Sequence, residues 1–370
     1  MKIIHVSYSL VRPQYTDPWA WIKFLSFFSG ILESLAQYAE VITIHHINYR
    51  GLVQHNGVAY HFPKLRHWQL LWPVKFNRYI YRLRPDVVVV HGLIFPWQVV
   101  MLRWQLGSHA KIIAQHHAEQ PLKDIRKYFQ RLADRYIQAY LFTSLNLGLR
   151  WVEKGQIRDA NKIKEIMEVS SPFYPVPKVE ASAVTKACGK KIYLWVGRLD
   201  ANKDPLTMVR AFIRFGHANP GVKLYMIFQT VELLQELKAV LSATPGAFQF
   251  IHLVGKISNP DLLYWYNSAD FIISSSHYEG SGTAVCEGLS CGCIPVLSDI
   301  PSFRMMTDNG RVGLLYESGD EAALLATLQK TLDLNLAFEQ EKVLAWFEKE
   351  LSFEAIAKKI MKVINEIDQK

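Results

Sequence analysis

Cysteine is scarce: the chain of 370 residues holds four, Cys188, Cys286, Cys291 and Cys293. Cys291 and Cys293 stand two apart, which is not the spacing of a zinc or redox pair, and the total is far below the density of a disulfide-stapled fold. All four read as reduced thiols in or near a core, which suits a reducing cytoplasm. Long apolar runs are also missing. None approaches the ~20 residues needed to cross a bilayer. Residues 1–8 lack the charged, apolar and small-residue regions of a secretory leader and read as a first strand. There is no short-period repeat and no low-complexity segment. Gly280 and Gly282 give only G-x-G, with Val285 where the third glycine of a dinucleotide fingerprint belongs.

What remains is a globular composition, 50% hydrophobic and 20% charged, in a chain long enough for two domains. Charge is placed unevenly. Residues 1–180 carry 23 Lys and Arg against 12 Asp and Glu, a net of +11, while residues 181–370 carry 19 against 21, a net of −2. A basic half beside a neutral one fits an anionic partner such as a membrane surface, a lipid phosphate, an acidic glycan or nucleic acid; a solvated basic surface is the plain alternative. Nucleic acid gains no motif support.

The first half alternates strand and helix signals. Strands are expected at 2–8, 41–46, 86–91 (DVVVVH) and 111–116, and helices at 19–39, 95–106 and the basic stretch 122–140. Continuous apolar runs such as 86–91 are what parallel strands covered on both faces need. At 170–178 (SSPFYPVPK) three prolines in nine residues can continue neither element, which places an interdomain linker there, extending to about Gly189. The rhythm then restarts. Strands are expected at 191–196, 223–228, 248–254, 271–274 and 294–297. Helices are expected at 205–216, 231–241, 261–268 and 283–290, with a mostly helical tail from Glu321. The fold class is therefore α/β, with two doubly wound parallel-sheet domains facing a cleft, residues 1–178 and 179–351. The C-terminal helix 352–370 is a candidate to pack back on the first domain.

Chemistry-bearing residues are densest at 274–298, SSSHYEGSGTAVCEGLSCGCIPVLS. Gly280 and Gly282 form an open turn between a strand end and a helix beginning near Thr283. Backbone N–H groups and the helix dipole there suit an anion, phosphate above all. Glu279 and Glu287 frame the turn and suit the hydroxyls of a nucleotide sugar, although a helix-start charge and a surface residue are the simpler readings. The second segment is 195–204, WVGRLDANKD. A strand ends, Gly197 opens the loop, and Arg198 and Lys203 follow. These two could offset charge on a departing diphosphate, or be solvated cations.

Together, GRLDANKD and EGSGTAVCE resemble the donor-site signature of retaining glycosyltransferase family 4, with its G-R-L, a Lys five residues beyond the Arg, and a later E-x7-E. The likeness covers most of 190–325 well and the first half only in outline. The resemblance implies a GT-B fold of two Rossmann-like domains. It also implies transfer of a sugar, with retention, from a nucleoside-diphosphate sugar to a glycan or lipid-linked acceptor. Arg198 and Lys203 would then bind the pyrophosphate, with Gly197 opening the loop that carries them and Gly280 shaping the facing turn. Gly282 and Thr283 would present N–H groups to the distal phosphate. Glu287 would receive the ribose hydroxyls and Glu279 those of the transferred sugar. No metal and no cofactor are implied, and no D-x-D pair is present. The family places a His after the strand that ends near His116 and His117. Period-two alternation favours His117; His91 fits a structural role better.

Two departures stand out. The loop 7–19 (SYSLVRPQYTDPW) has no glycine, and 226–230 (MIFQT) stands where a glycine-rich strand end is usual. Residues 60–104 and 122–140 interleave Arg and Lys with Trp, Tyr and Phe. This fits either core-facing helices or peripheral contact of a cytoplasmic protein with an anionic membrane. A sugar-nucleotide epimerase or a phosphorylase on the same fold, and a non-catalytic scaffold, are the competing readings. Only a transferase or its enzyme rivals need Arg198, Lys203, Glu279 and Glu287 together.

Overall fold

The computed structural model describes residues 1–369. The chain divides into two compact units, one formed by Met1–Ser170 with the chain from Phe353 on, the other by Ser171–Ser352. The first unit carries an eight-stranded sheet of β1 (Lys2–Ser7), β2 (Glu40–Ile44), β3 (Gly51–His55), β4 (Val58–Phe62), β5 (Val87–His91), β6 (Lys111–Gln115), β7 (Ala139–Phe142) and β8 (Ile163–Glu165). Their order is β3-β4-β2-β1-β5-β6-β7-β8, and every neighbouring pair is parallel except β3–β4. The C-terminal ends of β1, β5 and β6 therefore lie side by side.

The second unit has six parallel strands, β9 (Lys191–Gly197), β10 (Val222–Phe228), β11 (Ile251–Gly255), β12 (Phe271–Ser274), β13 (Ile294–Ser298) and β14 (Leu314–Tyr316), in the order β11-β10-β9-β12-β13-β14. Side chains alternate across β9. Tyr193 and Trp195 enter one core with Phe212, Phe215 and Phe271, while Ile192 and Leu194 enter the other with Tyr266 and Ile272. Both faces are covered, which is why the strand reads as an unbroken apolar run. Because β9 and β12 pair in parallel, with Trp195 opposite Ile273, the loops leaving them emerge at one edge of the sheet. The match to the expected layout is close in this unit.

In the first unit the helices Trp68–Leu71, Val74–Arg82 and Leu145–Glu153 and the strand β8 carried no expectation, and three further differences stand out. The helix expected over 19–39 is two helices, Pro18–Phe24 and Ser26–Leu35, separated at Leu25, whose φ of −92° and ψ of 18° leave the helical region. The stretch 122–140 is helical only over Arg126–Ala133. Its apolar end turns into β7, where Tyr140 donates to Asp134 Oδ1 at 3.0 Å and accepts from Gln130 at 3.1 Å. The antiparallel β3–β4 hairpin carried no expectation at all.

The boundary also differs. Residues 171–178 belong to the second unit rather than to the first, because Val176 N–H donates to Asn267 Oδ1 at 2.7 Å and Lys178 pairs with Asp270. Beyond the prolines there is no linker to Gly189 but a helix, Lys178–Thr185, packed on the helix Asn259–Ser268. In the C-terminal helix Phe353–Asp368, Ala355, Ile356, Ala357, Ile360, Val363, Ile364 and Ile367 are buried. This helix packs on Ser26–Leu35, where a side chain on Gly30 would lie 2.6 Å from the Phe353 ring.

Candidate functional site

In the second unit, the residues singled out at 197–203 and 279–287 stand on the loops leaving β9 and β12. Gly197 ends β9. Arg198 is exposed, with an Nη2–Asp200 Oδ2 contact of 3.1 Å. The turn that follows is held by Asp200, which accepts from Lys203 N–H at 2.9 Å through its carboxylate. Two bonds stitch this turn to the β12 loop: Asn202 Nδ2 donates to Tyr278 O at 2.9 Å, and His277 N–H donates to Asn202 O at 2.8 Å. A third, from Ser275 Oγ to Lys203 O, is 2.7 Å. This frame brings Lys203 Nζ onto Glu279 Oε1, an ion pair with only 20% and 12% of the two side chains exposed. Residues 76 positions apart in sequence thus form one charged pair.

Past Glu279 the chain turns on Gly282, whose φ of 60° is left-handed, and the helix Thr283–Ser290 starts there with no side chain capping it. Only glycine serves at this point, since a Cβ would also lie 2.7 Å from the Phe303 ring. Ser302 Oγ fixes the preceding carbonyls of Glu279 and Gly280 at 2.6 and 3.2 Å. A helix N-terminus without a cap, next in sequence to a Lys–Glu pair and facing no carboxylate cap of its own, offers free N–H groups to an anion.

Glu287 lies one turn further on and is buried, 7% exposed. Tyr266 hydroxyl donates to its Oε2 at 2.8 Å. Burial pushes the Glu287 carboxyl up to about 7, against the smaller opposing effect of the Tyr266 bond. The carboxyl therefore sits near its titration point at neutral pH, ready to accept from further hydroxyls once ionised. Tyr266, Asn202, His277 and Ser302 carried no expectation. Each acts on a residue distant in sequence, so no local motif marks them. Thr230, in the segment noted for lacking glycine, has a comparable role: its Oγ1 accepts from Leu199 N–H at 2.7 Å and ties the β9 loop to the end of β10.

In the first unit, His116 and His117 part company. His116 is buried, its Nε2 bonded to Glu119 O at 2.8 Å and its ring stacked on Phe142. His117 keeps 39% of its side chain exposed. Its Nδ1 pairs with Glu168, from the segment after β8, and its backbone N–H donates to Glu119 Oε2 at 2.6 Å. Its Nε2 lies 2.9 Å from His91 Nδ1, and His91 Nε2 lies 2.9 Å from His5 Nδ1. His91 is therefore not an isolated structural residue but the middle of a row across β1, β5 and the end of β6.

Burial pushes His5 down to about 3, and His91 falls well below its ordinary value through burial and the neighbouring rings of His117 and His5. Burial would lower His117 too, but the Glu168 carboxylate, aided by Glu119, outweighs it and holds His117 above the usual range. With Glu168 accepting from Nδ1–H, neutral His117 presents Nε2 as an acceptor to His91. The row has a carboxylate at one end and a single favoured place for a proton.

The basic, aromatic stretches are divided between core and surface. Leu70, Phe76 and Ile80 are buried, while Trp68, Leu71, Trp72, Tyr81, Trp104, Ile125 and Tyr128 are exposed. No helix among the described residues is long and apolar enough to cross a membrane.

Residues 190–333, which contain the whole of this second-unit site, match the family model of glycosyl transferases group 1. A D-inositol 3-phosphate glycosyltransferase of Thermobispora bispora is 27% identical over 169 residues, 44% of this chain and 40% of that protein. A GDP-mannose:cellobiosyl-diphosphopolyprenol alpha-mannosyltransferase of Xanthomonas campestris is 24% identical over 265 residues, 70% of this chain and 67% of that one. The chain thus aligns with less than half the length of the inositol phosphate enzyme. Among solved structures, sucrose-phosphate synthase from Thermosynechococcus elongatus aligns with a TM-score of 0.71 at 16% identity, over 100% of this chain and 99% of that chain. Anabaena Alr3699/HepE in complex with UDP aligns with a TM-score of 0.72 at 13% identity, over 99% and 100%. The matched stretch, 190–333, is less than half of the chain, and over its length the chain has the GT-B fold of two parallel-sheet α/β domains.

Proposed function

We propose that the chain is a retaining, metal-independent glycosyltransferase that moves a hexose from a nucleoside-diphosphate sugar to a glycan or lipid-linked acceptor. One observation carries the reading. Within the region that matches the family model, Arg198, the Lys203–Glu279 pair and the uncapped N-terminus at Gly282 and Thr283 stand on adjoining loops, with Glu287 one turn beyond. Cations and free N–H groups suit a diphosphate, while two carboxylates suit hydroxyls on either side of it.

In this reading the bond from the sugar C1 to the diphosphate oxygen breaks as the acceptor oxygen bonds C1 on the same face. The acceptor proton passes to the leaving phosphate. Arg198 and Lys203 offset the charge that builds on that phosphate, which is the largest electrostatic demand of the step. Glu279, held by Lys203, accepts from a sugar hydroxyl, and Glu287 accepts from the ribose. His117 serves the transferred sugar or the acceptor as a hydrogen-bonding group. The Xanthomonas relative's diphosphopolyprenol acceptor supports a lipid-linked acceptor, and the UDP in the Anabaena structure supports a nucleotide donor. The exposed aromatic residues among basic ones in the first unit fit peripheral contact with an anionic membrane from the cytoplasmic side.

The test is a thermal-shift panel of UDP, GDP, ADP, dTDP and CMP, with and without a chelator. A ligand of the native state alone must raise the melting temperature. One diphosphate should give a chelator-insensitive shift that Arg198→Ala abolishes. The absence of a shift from every nucleotide at millimolar concentration would remove the donor site.

A further inference from the structure

β4 runs parallel to β2, which runs parallel to β1, so the end of β4 opens on the same edge of the first sheet as the histidine row. There the chain forms an open pocket of about 930 Å³. Its charged lining comes from three segments. Arg50 precedes β3, Lys64 and Arg66 follow β4, and Lys75 stands on the helix Val74–Arg82. No aspartate or glutamate lines it.

Some cations of the first unit have carboxylate partners: Lys2 with Glu40, Arg126 with Asp124, Lys162 with Asp134, Lys164 with Glu366. Among the described residues, none of Arg50, Lys64, Arg66 and Lys75 forms an ion pair. Their surroundings are ordered by the fold. Gln69 Oε1 accepts from Arg66 N–H at 2.9 Å and sets the turn that carries Lys64 and Arg66. Tyr79 hydroxyl, also in the lining, is held at 2.6 Å by His61 Nδ1. One flank is apolar and exposed, with Leu52 at 54% and Trp68 at 51%.

Four cations around one concavity repel one another and are stabilised by a ligand of several negative charges. The volume lies in the ~300–1,000 Å³ range of pockets that hold a whole small molecule, well beyond a bare phosphate. The geometry points to a second anion site in this chain, one that takes a diphosphate ester whose organic group lies on Leu52 and Trp68. That the ester is the acceptor, or the carrier of the acceptor, rests on the transferase reading above. The binding itself does not. The site differs from the one in the second unit in having no carboxylate to receive hydroxyls, so it selects for charge and apolar surface rather than for a ribose.

The experiment is calorimetry on the full chain with geranyl diphosphate, inorganic pyrophosphate and the nucleoside diphosphate selected above. Lys64→Gln with Arg66→Gln should weaken geranyl diphosphate by about tenfold or more, since each lost charge contact costs a large factor in affinity. The same variant should leave the nucleoside diphosphate within about twofold, and Lys203→Ala should do the reverse. Trp68→Ala should weaken geranyl diphosphate and leave pyrophosphate alone; equal loss of both would overturn the apolar flank. Flotation with phosphatidylcholine vesicles, plain or doped with a long-chain polyprenyl diphosphate, separates a membrane-borne ester from a soluble one. Doped vesicles should capture the wild type and not the double variant if the ester is membrane-borne. No saturable geranyl diphosphate binding, or binding that only Lys203→Ala removes, overturns the second site. Geranyl diphosphate binding without any nucleotide binding keeps the pocket and removes the transferase reading.

Discussion

Lys203 and Glu279 neutralise each other at short range while mostly withdrawn from water, so removing either partner leaves the other uncompensated. Lys203→Ala is therefore expected to weaken nucleoside-diphosphate binding by about one to two orders of magnitude, by loss of the cation and by leaving Glu279 to repel phosphate. Calorimetry with unchanged affinity would take Lys203 out of the site. Glu287 gives a pH test. Its carboxyl is near 4.5 in an unfolded chain and about 7 in the fold, so the native state prefers it protonated. Stability from this preference is complete below pH ~4.5 and lost as the pH rises through ~7, a loss on the order of 3 kcal/mol. Urea unfolding from pH 4.5 to 8 should show the wild type falling relative to Glu287→Gln across that window, and parallel curves would contradict the assignment. His117 offers the opposite lever. Glu168→Gln removes the charge that holds its pKa up, leaving burial to lower it, and the His117 ring resonances should titrate at a lower pH in that variant. An unmoved titration would mean that Glu168 does not set the state of the row.

Elements explain what could be read from the chain and what could not. Five of the six strands of the second unit were legible, the central ones because they are covered on both faces and read as unbroken apolar runs, and 271–274 and 283–290 fall where their composition puts them, whereas the three-residue edge strand β14 carried no expectation. The Lys203, Glu279 and Gly282 set was legible because its residues cluster in two short segments. In contrast, β7 was hidden behind the basic helix that precedes it, since AYLF is too short to show a period of its own. The β3–β4 hairpin, the frame bonds of Asn202 and Ser302, and the row from His5 to Glu168 all depend on partners far apart in sequence, which no local pattern encodes. Gly282 is the element-level test of the site. Its left-handed φ and the Phe303 ring leave no room for a side chain, so Gly282→Ala should cost about 1–2 kcal/mol and misplace the start of Thr283–Ser290. Circular dichroism should report a lower melting temperature, and nucleotide affinity should fall more than stability alone accounts for. A variant that binds nucleotide normally would show that the helix start is not the phosphate contact.

At the scale of the whole molecule the chain leaves its first unit after Ser170, builds the second, and returns at Phe353 to complete the first. The returning helix is amphipathic, with Ile356, Ile360 and Ile364 buried, and Lys164 pairs with Glu366 at 2.9 Å. Gly30 admits the Phe353 ring where any side chain would collide with it. The first unit therefore depends on residues made after the second, whereas the donor-side loops lie wholly within Ser171–Ser352. Ending the chain at Ser352 should separate the two. Hydrogen exchange should report lost protection in Ser26–Leu35, because several buried apolar side chains at about 1.5–3 kcal/mol each are removed from that surface. The same truncated chain should bind the nucleoside diphosphate within about threefold of the full chain, since Arg198, Lys203, Gly282 and Glu287 keep their supports. Loss of both properties together would mean that the second unit draws its order from the first, and would move part of the nucleotide site out of residues 171–352.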